Sequence, residues 1–199
     1  MDCSGIQRIG QAFRRQRTEY EAHLKGELPA KLAERKHSLS WPVNLVPDAA
    51  ASIWHYHDQN VALGAIVLHR GIDIKCDLGT KVIAPGGYSG RYVKSTCGLS
   101  NVALYAPAEK LLFSYAHLAV QSLPLALKSG LDQLGVCGGD LIGKVGKFVD
   151  GENNHVHFQI DLLTDSLPNL LGRFGSLYDL LESPEATPVN PLLLLEKLY

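Results

Sequence analysis

The segment from His155 to Leu162 alternates polar and apolar residues without interruption. Successive side chains of a β-strand point to opposite faces, so this alternation predicts a strand with one face on the core. The apolar positions are Val156, Phe158, Ile160 and Leu162, and the polar positions are His155, His157, Gln159 and Asp161. We therefore expect both histidines to face a polar cleft, with Cα atoms roughly 6.5–7 Å apart. On its own, such a His-x-His pair is often incidental.

Short apolar segments separated by Gly and Pro continue this β character from residue 41 to about 160. Residues 107–110 predict a four-residue hairpin connection, and 85–87 predict a tight turn. Two insertions interrupt the β pattern, a helix or loop near 122–135 and a helical segment near 163–187. The expected strands are 65–69, 80–84, 88–94, 101–106, 111–117 and 155–162.

The first 40 residues differ from the rest. Apolar residues recur at roughly helical spacing with Arg and Glu between them, which predicts a helix over 5–36 that Pro29 divides or ends. We expect an N-terminal helical segment over 1–40 and a separate domain over 41–199. The predicted fold class is mainly β, α+β overall.

Composition excludes several classes of partner. The 199 residues carry a net charge of -1, which gives no reason to expect nucleic acid or a membrane surface. No apolar run approaches the roughly 18 residues of a membrane span. The N-terminus lacks the apolar core of a secretory signal, so the compartment stays unknown. The four cysteines form no Cys-x-x-Cys pair, which argues against a cysteine zinc site.

Two further segments offer metal-ligand side chains. His69 and Asp73 would lie about 13 Å apart in a straight strand, too far to share an ion. Gly71 stands midway and permits a bend, which would let an imidazole nitrogen and a carboxylate oxygen converge at zinc-ligand distances. His117 ends the second hairpin strand. Tyr115 is expected to share its strand face, for packing or for positioning a substrate.

Together and in this order, these segments resemble the LytM/lysostaphin-type zinc metallopeptidases, which cleave peptide cross-links in bacterial cell walls. The segments that resemble the family's motifs are HRGIDI at 69–74, YAHL at 115–118 and HVHF at 155–158. Residues 136–146 resemble the stretch before the last motif, and 188–191 resemble the closing segment. The resemblance covers about residues 41–199 and implies an antiparallel β-sheet groove with zinc on its floor.

The resemblance implies that His69, Asp73 and His157 bind one zinc ion. It implies that His117 and His155 are unligated and flank a zinc-bound water. Three protein ligands leave a fourth position open, as a catalytic zinc site requires. No HExxH motif is present, so one of the unligated histidines must take the proton or stabilise the tetrahedral intermediate, and spacing leaves open which.

The implied function is hydrolysis of amide bonds in peptidoglycan stem peptides or cross-bridges by a zinc-activated water. The enzyme would then act on the cell wall, in the periplasm or outside the cell. This sequence departs from the family at Asn153-Asn154, where a small pair such as Gly-Pro is common, and at Cys76-Asp77, where a small or Pro-containing turn is common. These departures and the two insertions leave the substrate specificity open.

Other interpretations compete with this one. A non-catalytic cell-wall-binding or regulatory relative would keep the fold, although retention of all five polar positions argues against it. A D-Ala-D-Ala-type peptidase has a similar ligand set but would lack the YAHL hairpin. A lipoyl-type carrier barrel would need a modifiable lysine in a hairpin turn.

A second His-x-His pair, His55 and His57, is interpreted as rim or surface residues. We also hypothesise that the N-terminal segment covers the groove, through the helix over 5–36 and the loop over 44–60. In several members of the resembled family a preceding segment does so, and one of its side chains can take the open zinc position.

Overall fold

The computed structural model describes residues 28–43, 53–54, 59–62, 65–85, 90–94, 102–123, 135–147 and 154–197. Its strands, in chain order, are β1 (Ile53–Trp54), β2 (Gln59–Ala62), β3 (Ala65–Leu68), β4 (Ile72–Lys75), β5 (Lys81–Ile83), β6 (Gly90–Lys94), β7 (Val102–Ala106), β8 (Leu111–Ala116), β9 (Gly135–Val136), β10 (Leu141–Lys144), β11 (His155–Leu163) and β12 (Ala186–Val189). Its helices are α1 (Leu167–Phe174) and α2 (Leu177–Leu181), with 3₁₀-helices at Ala30–Arg35, Val120–Ser122 and Pro191–Leu193. The protein is therefore mainly β with a few helices, which confirms the predicted fold class.

An antiparallel sheet of eight strands dominates the described ranges. Its order is β1-β4-β11-β8-β7-β6-β9, with β12 paired to β11 as well. β11 lies inside this sheet: β8 runs along one edge, while β4 and β12 divide the other edge between them. Two smaller two-stranded sheets pair β5 with β10 and β2 with β3.

The predicted strands are present, with ends that differ by one or two residues where both ends are described. The hairpin at 107–110 joins β7 to β8 as expected. The predicted helical character near 163–187 is confirmed by α1 and α2. The insertion near 122–135 and the turn at 85–87 lie largely outside the described residues. No helix among the described residues is long and apolar enough to cross a membrane.

The main core lies on one face of the large sheet. It includes the apolar residues of β11 that alternation predicted, Val156, Phe158, Ile160 and Leu162. Phe113 of β8 stacks on Phe158 with ring centroids 6.3 Å apart. Burial of each such side chain stabilises the fold by roughly 1.5–3 kcal/mol, which fixes the register of β11 and hence the face on which its histidines lie.

A smaller second core lies on the opposite face, the face of the polar residues of β11. Leu163 has the same parity along β11 as His157 and belongs to this core, together with Leu112 of β8. Buried leucines of α1 and α2 pack onto it, including Leu170 and Leu180. The two helices therefore cover one end of the sheet face that carries the histidines at its other end.

The described part of the N-terminal region packs on the main core. Leu32 and Leu39 are almost fully buried there. Leu39 also forms an isolated parallel bridge with Leu195, near the other end of the chain.

The predicted N-terminal helix is only partly described. Residues 30–35 form a 3₁₀-helix rather than an α-helix, directly after Pro29, which has non-helical backbone angles. Residues 5–27 of the predicted helix lie outside the described ranges. The division of the chain at residue 40 stays a prediction.

Candidate metal centre

The strand register aligns the candidate ligands across three neighbouring strands. His157 of β11 is the Cα partner of Asp73 in β4 on one side and of Ala116 in β8 on the other. His117 directly follows Ala116, so the chain leaving β8 reaches the same place. Backbone pairing therefore places these side chains in one row across the sheet. Burial of the apolar face of β11 fixes the register of that pairing.

A bend between β3 and β4 carries His69 to this row. Its Nε2 lies 3.2 Å from Oδ1 of Asp73, so the predicted bend at Gly71 is present. The predicted reason for the glycine is wrong, because the φ angle of Gly71 is not positive. A Cβ on Gly71 would instead lie 2.6 Å from the backbone oxygen of Phe158 and 2.8 Å from Nε2 of His157. Glycine is required here because two groups approach its Cα closely.

Three ligand atoms converge at the end of this bend. Nδ1 of His157 lies 2.9 Å from Oδ1 of Asp73 and 3.0 Å from Nε2 of His69. Ligand atoms in a tetrahedral zinc site with bonds of about 2.0–2.1 Å are about 3.3 Å apart, so this triangle has nearly the required size. Two imidazoles and a carboxylate are also a donor set that suits zinc. Among the described residues, these three side chains are the ones that lie close enough together to bind one metal ion.

The electrostatics of the cluster favour a charged carboxylate. Burial alone would raise the pKa of Asp73, but hydrogen bonds and charge interactions with His157 and His69 outweigh burial and hold that pKa well below its ordinary value. The second oxygen, Oδ2, lies 3.8 Å from Nε2 of His155. Asp73 therefore uses one oxygen toward the ligand histidines and the other toward His155.

His117 and His155 form a pair beside the three ligand atoms. Their rings meet edge to face with centroids 4.6 Å apart. Burial, and then the nearby imidazoles of His155 and His157, lower the pKa of His117 to about 4, although Asp73 acts in the opposite direction. At neutral pH the His117 imidazole is therefore uncharged and has one ring nitrogen able to accept a proton.

The backbone turns sharply at His117. Its φ angle is 65°, a left-handed conformation that costs a non-glycine residue roughly 1–2 kcal/mol. The backbone N–H of Gly146 donates to the carbonyl oxygen of His117 at 2.8 Å, and a Cβ on Gly146 would lie 3.0 Å from that oxygen. Gly146, the last residue of the 136–146 stretch, thus braces the turn that presents His117.

The same turn corrects the prediction for Tyr115. Its side chain is fully buried in the main core, with its ring centroid 5.1 Å from that of Phe158. His117 contacts His155 on the opposite side of the sheet. Because the left-handed residue ends the alternation of β8, Tyr115 and His117 do not share a face, and Tyr115 is a packing residue.

For three polar residues beside the cluster, no role was predicted from the sequence. Arg70, Gln159 and Asp161 extend from His157 along the sheet face toward α2. The alternation of β11 placed Gln159 and Asp161 on that face, which was the available signal. His55 and His57, predicted as rim or surface residues, lie outside the described residues.

Comparison with known proteins identifies the fold. No protein-family model matches the sequence, and no curated protein matches it significantly. Among solved structures, Csd3 of Helicobacter pylori is 21% identical, with a match over 80% of this chain and 35% of that chain and a TM-score of 0.50. The antimicrobial peptidase lysostaphin from Staphylococcus simulans is also 21% identical, over 79% of this chain and 52% of that chain, with a TM-score of 0.50.

This chain spans about a third of the length of Csd3 and about half of that of lysostaphin. The shared architecture defines the class: the chain has the LytM/lysostaphin-type peptidase fold. The resemblance read from the sequence motifs is thereby confirmed at the level of the fold.

Proposed function

We propose that this protein is a zinc-dependent peptidase that hydrolyses amide bonds in the stem peptides or cross-bridges of peptidoglycan. The observation that carries the proposal is the convergence of ligand atoms from His69, Asp73 and His157 within 3.2 Å, beside a pair of further histidines. The likeness to lysostaphin, a peptidase, supports the reaction class. The cell wall as site of action, in the periplasm or outside the cell, is part of the same proposal.

His69, Asp73 and His157 would hold the ion. When bound, zinc supplies a Lewis acid that acidifies a water molecule and polarises the scissile carbonyl. The three side chains are between 13% and 19% exposed, so the cluster is shielded yet open on one side. Asp73 contributes a negative charge that partly balances a divalent cation in this shielded position.

His117 and His155 would accept the proton of the attacking water and stabilise the negative charge that develops on the carbonyl oxygen. His117 would be the general base that accepts a proton from the attacking water, because its ring lies against His155 beside the candidate ligand atoms. His155 lies against it with Nε2 3.8 Å from Asp73 Oδ2, which gives the carboxylate a means of orienting that ring. An N–H of His155 directed into the cleft would stabilise the oxyanion of the tetrahedral intermediate.

The proposal is tested by metal analysis and by product analysis on one preparation. We expect one zinc ion per chain, and release of cleaved muropeptides detected by mass spectrometry that stops on addition of a chelator. Asp73→Ala removes a ligand and should therefore lose both the zinc ion and the release of muropeptides. Zinc-free protein that still cleaves would contradict the metal assignment. Zinc-loaded protein that binds purified wall without cleaving it would favour the non-catalytic relative.

The covering of the groove by the N-terminal segment remains a separate prediction. Leu32 and Leu39 belong to the main core, so a deletion through residue 40 would also damage the fold. Removing residues 1–27 avoids this, and we expect muropeptide release to rise if the segment covers the groove. Unchanged or abolished activity after this shorter deletion would contradict the covering hypothesis.

A further inference from the structure

A line of polar contacts leads from the candidate metal centre to the helical insertion. Nε2 of His157, the ring nitrogen away from Asp73, lies 3.5 Å from Oε1 of Gln159. The amide nitrogen of Gln159 donates to Oδ2 of Asp161 at 2.7 Å. Oδ1 of Asp161 accepts a hydrogen bond from Arg70 at 3.4 Å. Each side chain in this line therefore contacts the next.

Asp161 decides the orientation of the Gln159 amide. Its side chain is 0% exposed and Gln159 is 9% exposed, so both are largely shielded from bulk solvent. A buried carboxylate must be paired, and Arg70 supplies the compensating positive charge. A carboxylate only accepts hydrogen bonds, so the amide must present its NH₂ group to Asp161 and its oxygen to His157.

The amide oxygen is placed to hold the His157 ring in its metal-bound form. Nδ1 of His157 lies 2.9 Å from Asp73 Oδ1 and 3.0 Å from His69 Nε2, so Nδ1 is the atom that would bind the ion. With Nδ1 bound, Nε2 carries the hydrogen, and the Gln159 oxygen 3.5 Å away can accept it. Asp161 thus acts through Gln159 on His157, four residues earlier in the strand.

We infer that Gln159, oriented by Asp161 and Arg70, is the positioning residue that accepts the Nε2–H of metal-bound His157 and so holds its Nδ1 toward the ion. This inference rests on the proposed metal centre. It also gives the helical insertion a part in the site, because Arg70 donates to the carbonyl oxygen of Leu181, the last residue of α2, at 2.7 Å. The insertion thereby holds the guanidinium that holds Asp161.

Gln159→Met tests the inference with little change in side-chain length. It removes the acceptor beside His157 while Asp73 and His69 remain. We expect zinc affinity, measured by competition with a chromogenic chelator, to fall roughly 10- to 100-fold, as for other partners of metal-bound histidines. In the zinc-loaded protein, NMR of labelled histidine should show that the Nε2–H of His157 exchanges with solvent faster in the variant than in wild type.

Ser114→Ala is the matched control. Ser114 is the cross-strand neighbour of Gln159, and its buried hydroxyl makes no hydrogen bond to the residues that the structure describes. We expect this variant to keep both the wild-type zinc affinity and the wild-type exchange rate of the His157 Nε2–H. Asp161→Asn is a second variant: its amide can face Gln159 either way, so part of the Gln159 amide would turn its NH₂ group toward His157, and a zinc affinity between those of wild type and Gln159→Met is expected.

The outcomes separate this inference from the proposed function. If wild-type protein binds zinc but cleaves no wall peptide, the proposed reaction fails, while the affinity comparison still tests the role of Gln159. If Gln159→Met binds zinc as wild type does and keeps the wild-type exchange rate of the His157 Nε2–H, the inference is overturned and the metal centre stands. A fall in affinity in Ser114→Ala equal to that in Gln159→Met would also overturn it, since the effect would then be general to the sheet face.

Discussion

Replacing Gly71 by Ala should damage both the stability of the fold and the candidate metal centre. The added Cβ would lie 2.6 Å from the carbonyl oxygen of Phe158 and 2.8 Å from Cε1 and Nε2 of His157. Ordinary contacts begin near 3.4 Å, so the oxygen must move by about 0.8 Å and the imidazole by about 0.6 Å. The oxygen belongs to the backbone of β11, which is paired on both sides and cannot shift alone.

The size of the effect follows from these displacements. Overpacking of this kind costs about 1–3 kcal/mol, which corresponds to a fall in Tm of roughly 2–12 °C for a chain of this length. Zinc-ligand distances tolerate shifts of only about 0.2 Å, so moving His157 by more than that should lower zinc affinity by roughly 10- to 100-fold. Thermal unfolding of metal-free protein and chelator competition measure the two effects separately.

Gly172→Ala provides the matched control. Gly172 lies in α1, and no atom lies within 4 Å of the position its Cβ would take. Alanine should stabilise that helix by about 0.5–1 kcal/mol and leave zinc affinity unchanged. If Gly71→Ala melted like wild type and bound zinc equally well, close packing at the bend would not be what positions His157.

Three further outcomes follow from the site and its surroundings. Asp73→Ala should abolish zinc binding in equilibrium dialysis, and a variant that retained one ion per chain would remove Asp73 from the ligand set. His117→Ala should keep zinc but lower muropeptide turnover by roughly 10²–10⁴-fold, the range for a positioned proton acceptor, so full activity would overturn its assignment. Burial raises the pKa of Cys76 to about 11, so alkylation of Cys76, followed by peptide mass mapping, should still accelerate above pH 9; a rate that levels off by pH 9 would contradict this.

Periodicity predicted the parts of the fold that are determined by burial of apolar side chains. The alternation along β11 placed His155 and His157 on one face because the opposite residues must fill the main core. The hairpin between β7 and β8 was equally predictable, since turn residues separate two apolar runs. These features depend on local spacing, which a single sequence displays.

Features that depend on distant chain segments were harder to predict. Gly71 was expected for its backbone freedom, but the reason for it is the approach of Phe158 and His157, almost ninety residues later. The sheet face of Tyr115 was predicted wrongly, because nothing in the residue type of His117 indicates its left-handed conformation. Arg70 acquires its role only once the chain brings it to Asp161 and to the end of α2.

The division of one edge of β11 between β4 and β12 has a dynamic consequence. With β8 on its other edge, β11 is bonded to neighbours along nearly its whole length, so its amide hydrogens should exchange with solvent only in the rarest openings of the molecule. His69, in the bend between two strands, lies outside any such ladder. A metal could therefore be captured and released by motion of that bend alone, against a strand that stays folded throughout.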